Sequence, residues 1–322
     1  PLDYGAWGKL KVDVNVDGKW YACKSEDGKD HVTVPQDKDG DHIADWWEEY
    51  NKVKDEDENA DNDSKPIGRE DGDGFTNYEE YRGFKVASVW QTTDPNKKDL
   101  FVHAESGLSA YTYKFQEASG LDVHASLRAD EYDENRVVNF NRGHGTIGEQ
   151  KGLYLLYGSL GTANGKVSRV GTPSVCDTVK IDFSIADFTA STLPETVAHE
   201  LGHGVNLMHH GNYSEEGTCG TRPAHGSSVA MWGGQASGDT PCLMRYDNSV
   251  YAFYKGRDGQ CYEYPEGDDV EVYFCDSKTG TGINAGPNRV ENELVFPVTG
   301  DAGEFGDCKH NITLKGKHYD GN

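Results

Sequence analysis

The sequence is poor in positive charge. Its 322 residues hold 31 Lys and Arg against 55 Asp and Glu, so the formal net charge at pH 7 is −24. Because nucleic acids and anionic membranes attract clusters of basic side chains, this imbalance argues against both as partners. Long apolar runs are also missing, and no stretch approaches the roughly 20 residues that a membrane-spanning helix needs. We therefore expect neither nucleic-acid binding nor membrane insertion.

Cysteine-based metal and redox motifs are missing as well. None of the seven cysteines forms a C-x-x-C pair, which argues against a cysteine zinc cluster and against a thioredoxin-like site. Most of the cysteines lie in the last third of the chain, which favours disulfides in an oxidising compartment. Cys219 with Cys242 and Cys261 with Cys275 are the preferred pairs, but spacing does not determine connectivity. Because the first residue is Pro1 and not Met, we expect a mature, processed fragment. The expected disulfides favour a secreted, extracellular protein, and we expect a monomer.

The stretch TLPETVAHELGHGVNLMHHG, residues 192–211, has the pattern of a zinc site. His199 and His203 are four residues apart, so on a helix they share one face and can bind the same metal ion. Glu200 follows the first histidine, and this places its carboxylate beside the metal, where it can take a proton from water. The pattern predicts a helix that carries two metal ligands and a general base.

A third histidine completes the pattern from outside the helix. His209 can reach the same ion only if the chain turns back after Val205, and Asn206 stands at that turn. Asn is the non-glycine residue that most readily adopts the left-handed conformation such a turn needs. The predicted helix begins with a capping-box pattern at residues 192–195, which includes a proline in the first turn. The residues at helical spacing that should face the core are Val197, Ala198, Leu201 and Val205.

Half of the net charge lies in residues 37–80, which hold 17 acidic and 5 basic residues. A tract this acidic is either disordered or holds cations. The spacing in DKDGDHIADWWE favours Ca²⁺, because it matches the ligand positions of a twelve-residue calcium loop and resembles the D-x-D-G-D calcium repeats of secreted proteins. His42 occupies the position where such loops usually have glycine. The predicted ligands of this first loop are Asp37, Asp39, Asp41, the Ile43 carbonyl, Asp45 and Glu48.

A second, less complete copy of the loop follows in EDGDGFTNYEE. Its predicted calcium ligands are Asp71, Asp73, the Phe75 carbonyl, Asn77 and Glu80. Arg69 stands where the first ligand should be, so we expect Asp61 or Asp63 to complete the site from the preceding loop. The alternative for both copies is a solvated acidic surface without calcium. If calcium binds, its role is structural.

The chain after residue 98 has the pattern of an α+β domain. We predict strands at residues 100–103, 122–127, 136–140, 152–160 and 178–185, a helix at 108–118, and a glycine-rich link at 158–171. Residues 9–23 alternate around Asp17-Gly18 and predict a β-hairpin. These patterns divide the chain into an acidic calcium-binding region, 1–98, and a zinc domain, 99–322, with a disulfide-containing C-terminal subdomain.

The segment HELGHGVNLMH, residues 199–209, resembles the long zinc signature of the metzincin metallopeptidases, H-E-x-x-H-x-x-G-x-x-H. It departs from the signature at the family glycine, which is Asn206 here. The resemblance implies a twisted mixed β-sheet with an active-site helix, and a methionine turn beneath the zinc that is followed by a tyrosine. Met244 and Tyr246 in CLMRY fit that turn, with Met244 as structural support and Tyr246 as a donor to the oxyanion. Met231 lacks the tyrosine.

Other zinc families fit the spacing less well. Thermolysin-like enzymes take a glutamate ligand from a second helix, and Glu215 and Glu216 follow the motif too closely for that. The leading prediction is therefore a secreted zinc endopeptidase, in which zinc activates water and Glu200 accepts the proton. One alternative is a non-enzymatic, calcium-dependent adhesion or matrix protein that retains the fold, although such a protein has no use for Glu200. The other is a zinc hydrolase acting on a non-peptide amide.

Overall fold

The computed structural model describes residues 5–53, 58–66, 71–131, 138, 152–161, 164–170, 175–183, 193–207, 243–244, 253–255, 261–263, 274, 308–309 and 312–314. Its strands are β1 (Gly8–Leu10), β2 (Asp13–Val16), β3 (Lys19–Ala22), β4 (Val32–Val34), β5 (Phe84–Val86), β6 (Val89–Gln91), β7 (Asp99–Ala104), β8 (Asp122–His124), β9 (Gly152–Tyr157), β10 (Gly165–Val170), β11 (Val175–Ile181), β12 (Phe253–Lys255) and β13 (Cys261–Glu263). Its α-helices are α1 (Asp45–Asn51), α2 (Asn77–Arg82), α3 (Tyr113–Ser119) and α4 (Leu193–Gly204), and short 3₁₀ helices cover Leu108–Tyr111 and Ala129–Glu131.

The largest sheet has five strands in the order β10-β11-β9-β7-β8. Four of them are parallel, and β10 pairs with β11 in the antiparallel direction at one edge. The middle of β7 is fully buried and reads as a continuous apolar run, as expected for a parallel strand that is covered on both faces. The fold is therefore a mixed α/β arrangement with a mixed sheet, in agreement with the predicted mixed sheet.

The predictions from sequence were most accurate where a turn motif or the spacing of apolar residues determines the local structure. The hairpin at residues 9–23 is confirmed as β2 and β3, and both of its turn residues, Asp17 and Gly18, have positive φ, as a tight hairpin turn requires. The predicted helix at 108–118 is instead a 3₁₀ helix followed by α3. The predicted link at 158–171 was wrong over β10, because pairing with β11 overrides the weak strand propensity of a glycine-rich segment.

The main hydrophobic core lies between the sheet, α3 and α4. The helix face predicted to point inward is confirmed, since Val197, Ala198, Leu201 and Val205 are fully buried. A second cluster joins the acidic region to the sheet through Phe75, Phe84 and Phe101, whose ring centroids lie 4.7–5.1 Å apart. In the part of the chain described here, no helix is long and apolar enough to cross a membrane.

Candidate metal centre

Helix α4 presents two histidines side by side. The ring centroids of His199 and His203 are 4.9 Å apart, and the rings are nearly perpendicular. The Nδ1 of His199 lies 2.6 Å from the Leu243 carbonyl oxygen, and the Nδ1 of His203 lies 2.8 Å from that of Leu207. Because a carbonyl oxygen only accepts hydrogen bonds, each Nδ1 carries the proton, and the lone pair is on Nε2. This tautomer is the one in which Nε2 can coordinate a metal ion, so the donor set fits zinc.

The end of α4 explains how His203 is oriented. Asn206 has a φ of 68°, and its N–H donates to the His203 carbonyl while the Leu207 N–H donates to the Gly202 carbonyl. This pair of bonds is a Schellman motif with Asn in the left-handed position. The turn brings the Leu207 carbonyl to the Nδ1 of His203. His209, the predicted third ligand, lies just outside the described residues.

Glu200 lies on α4 with a side chain that is only 8% exposed. Burial raises the pKa of its carboxyl to about 7. Strand β10 passes directly over it at Gly165, where an added methyl group would collide with Cγ, Cδ and Oε1 of Glu200. Only glycine therefore allows the edge strand to lie this close to the carboxylate. Sequence reasoning missed Gly165, because nothing in a glycine-rich segment indicates which glycine faces a side chain.

Leu243 and Met244 lie beneath α4 and are fully buried. The Leu243 carbonyl holds His199, and a methyl group on Gly202 would come within 2.6 Å of the Met244 sulfur. These contacts place Met244 against the helix that carries the histidines. The role of Leu243 rests on its backbone carbonyl and leaves no signal in the sequence. Tyr246 is outside the described residues, as are Cys219, Cys242 and Cys275 of the predicted disulfides.

A comparison with protein families shows to which family the chain belongs. The family model described as dual-action HEIGH metallo-peptidase (Peptidase_M57) matches residues 77–253, which is more than half of the chain. The chain belongs to this family. It is therefore a zinc metallopeptidase, a hydrolase that acts on peptide bonds in protein substrates. No curated protein and no solved structure matches the chain.

The HEIGH metallopeptidase match includes the zinc helix, where residues 199–203 read HELGH and Leu201 stands in place of the isoleucine. The match begins at residue 77, which is the first residue of α2 and lies inside the acidic region. The division of the chain at residue 98 is not tested by this match and stays a prediction.

The first acidic loop of the peptidase brings three carboxylates together. Ligand atoms of Asp37, Asp39 and Asp41 all lie within 4.8 Å of one another. Asp41 Oδ1 accepts a hydrogen bond from the Ile43 N–H at 2.8 Å, while its buried Oδ2 accepts none. His42 has a φ of 77°, so it adopts the left-handed conformation that glycine usually supplies at this loop position.

The last two predicted ligands of this loop lie on α1. Asp45 forms an ion pair with Lys38, whose Nζ lies 2.9 Å from Asp45 Oδ2. The backbone N–H of Lys38 also donates a hydrogen bond to Asp45 Oδ1. Glu48 is buried, and its pKa is raised to about 7 by burial first and then by the charges of Asp41 and Asp39. The structure thus places Glu48 near the three carboxylates and pairs Asp45 with a lysine.

The second acidic cluster includes the preceding loop, as expected, but its members differ in part from the predicted ligands. Ligand atoms of Asp61, Asp63 and Asp73 lie within 4.8 Å of one another, so both of the earlier aspartates join the site. Asp71 is exposed and does not belong to that group. The other predicted ligands are buried at the start of α2 or within it: Phe75, Asn77 and Glu80.

Proposed function

We propose that this metallopeptidase is a secreted zinc endopeptidase in which His199, His203 and His209 hold the metal and Glu200 is the general base. The paired Nδ1–carbonyl hydrogen bonds of the two helix histidines are the observation that carries the proposal. They fix the tautomer in which each Nε2 carries the lone pair that can coordinate a metal ion, beside a carboxylate that is nearly buried.

Each residue of the metal centre has a separate role in peptide hydrolysis. A zinc ion held by the histidines supplies a Lewis acid that polarises the peptide carbonyl and activates water. Glu200 takes the proton of the attacking water on a carboxylate oxygen and passes it to the leaving amine nitrogen. Tyr246 donates a hydrogen bond to the developing oxyanion, and Met244 packs under α4 without binding the ion.

Strand β10 supports an extended peptide as the substrate. It is the edge of the five-stranded sheet, and only its β11 side is paired among the described strands. An exposed edge can accept a peptide as an additional strand through main-chain hydrogen bonds. Since Gly165 lies against Glu200, a peptide aligned on β10 would run past the base. Such a site does not need the end of a chain, which favours cleavage at internal bonds.

Replacing Gly165 with alanine should lower kcat by about 100-fold, because the new methyl group displaces the Glu200 carboxylate, and a shift of about 1 Å costs this much. Zinc content should change little, because the hydrogen bonds that orient His199 and His203 go to the carbonyls of Leu243 and Leu207. The assay is cleavage of a quenched fluorescent peptide with zinc measured by mass spectrometry. The matched control is Gly8→Ala, where a methyl group meets nothing within 4 Å. Equal activity of the two variants would contradict the placement of Gly165.

The test of the proposal is peptide mapping of casein digested by the zinc-loaded chain. We expect fragments from internal cleavage, loss of cleavage after zinc is stripped, and recovery when zinc is returned. Stepwise shortening from one terminus would contradict endopeptidase action. A zinc-loaded chain that leaves unfolded casein intact would favour the binding-only alternative.

We also propose that the first acidic loop binds Ca²⁺ and that the protein works outside the cell. The first loop supports calcium because Asp41 Oδ2 is buried next to two further carboxylates and accepts no hydrogen bond. Oxygen ligands of this kind are those that Ca²⁺ prefers. Millimolar Ca²⁺ outside cells would keep even weak sites of this type filled.

A further inference from the structure

Asp63 is the most unusual carboxylate of the described structure. It is 0% exposed, and neither of its carboxylate oxygens accepts a hydrogen bond. Buried polar groups in folded proteins are almost always hydrogen-bonded, and a buried charge left unpaired is costly. Asp63 also points at two other carboxylates, since ligand atoms of Asp61 and Asp73 lie within 4.8 Å of its own. A group this isolated from donors needs a positive partner.

The cluster also touches the first strand of the catalytic sheet. Asp73 Oδ2 accepts a hydrogen bond of 2.6 Å from the N–H of Asp99, the residue that begins β7. Asp99 is buried, its Oδ1 is held by His124 Nε2 at 2.5 Å, and its Oδ2 accepts no hydrogen bond. His124 in turn stacks on Phe101 of β7. Asp99 is therefore held in place next to the cluster, and its Oδ2 is left without a hydrogen bond.

The electrostatic cost of this arrangement is large. Asp63, Asp73, Glu80 and Asp99 are all buried, so water screens the repulsion between their charged forms poorly. Lys97 and Lys98 are described cations close to the cluster. Lys97 pairs with Asp122, and Asp63 receives no hydrogen bond from either lysine. A divalent cation would remove the repulsion.

We propose that Asp61, Asp63 and Asp73 hold a Ca²⁺ ion at the junction between the acidic region and β7, with Asp99 and Glu80 adding negative charge beside it. The donors are all carboxylate oxygens, which suit Ca²⁺ better than zinc or another metal that prefers nitrogen or sulfur. This site differs from the ligand set predicted from sequence, because it includes both Asp61 and Asp63 and excludes Asp71. The ion would fasten these three aspartates to the start of a strand in the sheet that supports α4.

The test uses Asp63→Asn in the full-length, zinc-loaded chain, with Ca²⁺ titrated by calorimetry and melting temperature recorded with and without Ca²⁺. The variant keeps the shape of the side chain and removes its charge. We expect the Ca²⁺ affinity of one site to fall by at least about tenfold, because one charged ligand is lost. Without Ca²⁺, the variant should melt at or above the wild-type temperature, because a buried repulsion has been removed.

Two results would overturn the proposal. If Asp63→Asn melts below wild type without Ca²⁺ and keeps the wild-type Ca²⁺ affinity, Asp63 has a structural role only. The second result concerns Asp71→Asn, which makes the same charge change at an exposed position and should alter Ca²⁺ affinity by no more than about twofold. A tenfold loss of Ca²⁺ affinity in Asp71→Asn, with no loss in Asp63→Asn, would instead favour the ligand set predicted from sequence, which includes Asp71. If Asp63→Asn does not fold, Asp61→Asn carries the same expectation.

Controls separate this site from the other metals. Asp39→Asn removes a ligand of the first cluster, so it should abolish a different Ca²⁺ site and leave the junction site intact. Mg²⁺ in place of Ca²⁺ should bind more weakly, and tighter Mg²⁺ binding would overturn the choice of ion. Zinc content and casein cleavage at saturating Ca²⁺ are read separately, so failure of the endopeptidase proposal would not be mistaken for failure of this one.

Discussion

Replacing Glu200 with glutamine is expected to lower kcat for peptide cleavage by about 10²–10⁴-fold while zinc content stays at the wild-type level. Glutamine has the shape of glutamate but cannot accept the proton that the attacking water loses. Zinc should be retained, because the hydrogen bonds that orient His199 and His203 go to the carbonyls of Leu243 and Leu207 and do not involve Glu200. The measurements are steady-state kinetics on a fluorescent peptide and zinc quantified by mass spectrometry.

The matched control for this variant is Glu195→Gln on the same helix. Glu195 lies in the first turn of α4, and burial raises the pKa of its carboxyl too, so the same substitution is made in a related environment. Its activity should stay within about threefold of wild type, as for most substitutions away from the chemistry. A Glu200→Gln variant that keeps more than about a tenth of wild-type activity would contradict the role of general base.

Removing Ca²⁺ from the zinc-loaded chain is expected to lower its melting temperature by about 5–10 °C for each site that was saturated. A site filled at 100 times its Kd contributes about 2.7 kcal/mol, and each kcal/mol shifts the melting temperature of a chain this large by about 2–4 °C. The reason is local. Without cations, the two carboxylate clusters keep buried oxygens that accept no hydrogen bond, such as Asp41 Oδ2 and both oxygens of Asp63.

Sodium chloride at matched ionic strength is the control for calcium removal. General repulsion within residues 37–80 would be screened by salt, because the Debye length falls to about 3 Å at 1 M. Specific sites need Ca²⁺ itself. A melting temperature that does not respond to Ca²⁺, or one that salt restores completely, would contradict both acidic clusters as calcium sites.

The parts of the metal centre that sequence alone could predict are those that lie within one helix and its cap. The spacing of His199, Glu200 and His203 determines which side chains share a helical face, and the burial of Val197 and Leu201 follows from the same period. The position of the turn at Asn206 follows from the conformational preference of one residue type. Local geometry decides each of these features, so they can be read without knowing the fold.

The two acidic clusters were predictable only in part for the same reason. The spacing of Asp37, Asp39 and Asp41 within five residues brings their carboxylates together. In the second copy, the chain folds back so that Asp61 and Asp63 meet Asp73, and Asp71 points to solvent. The ligand spacing predicted that Asp61 or Asp63 would join from the preceding loop, but it could not show that both do or that Asp71 is left out.

The sequence by itself determined the helix of the metal centre, the position of Glu200 between its two histidines and the class of enzyme, since these depend on a spacing of a few residues. Tertiary structure alone decided that β10 is the edge strand, that Gly165 covers Glu200, and that the carbonyl of Leu243 orients His199. It also decided that Asp99, at the start of β7, lies against an acidic cluster. These contacts join segments far apart in the chain, and strand pairing and packing bring them together, which no local pattern records.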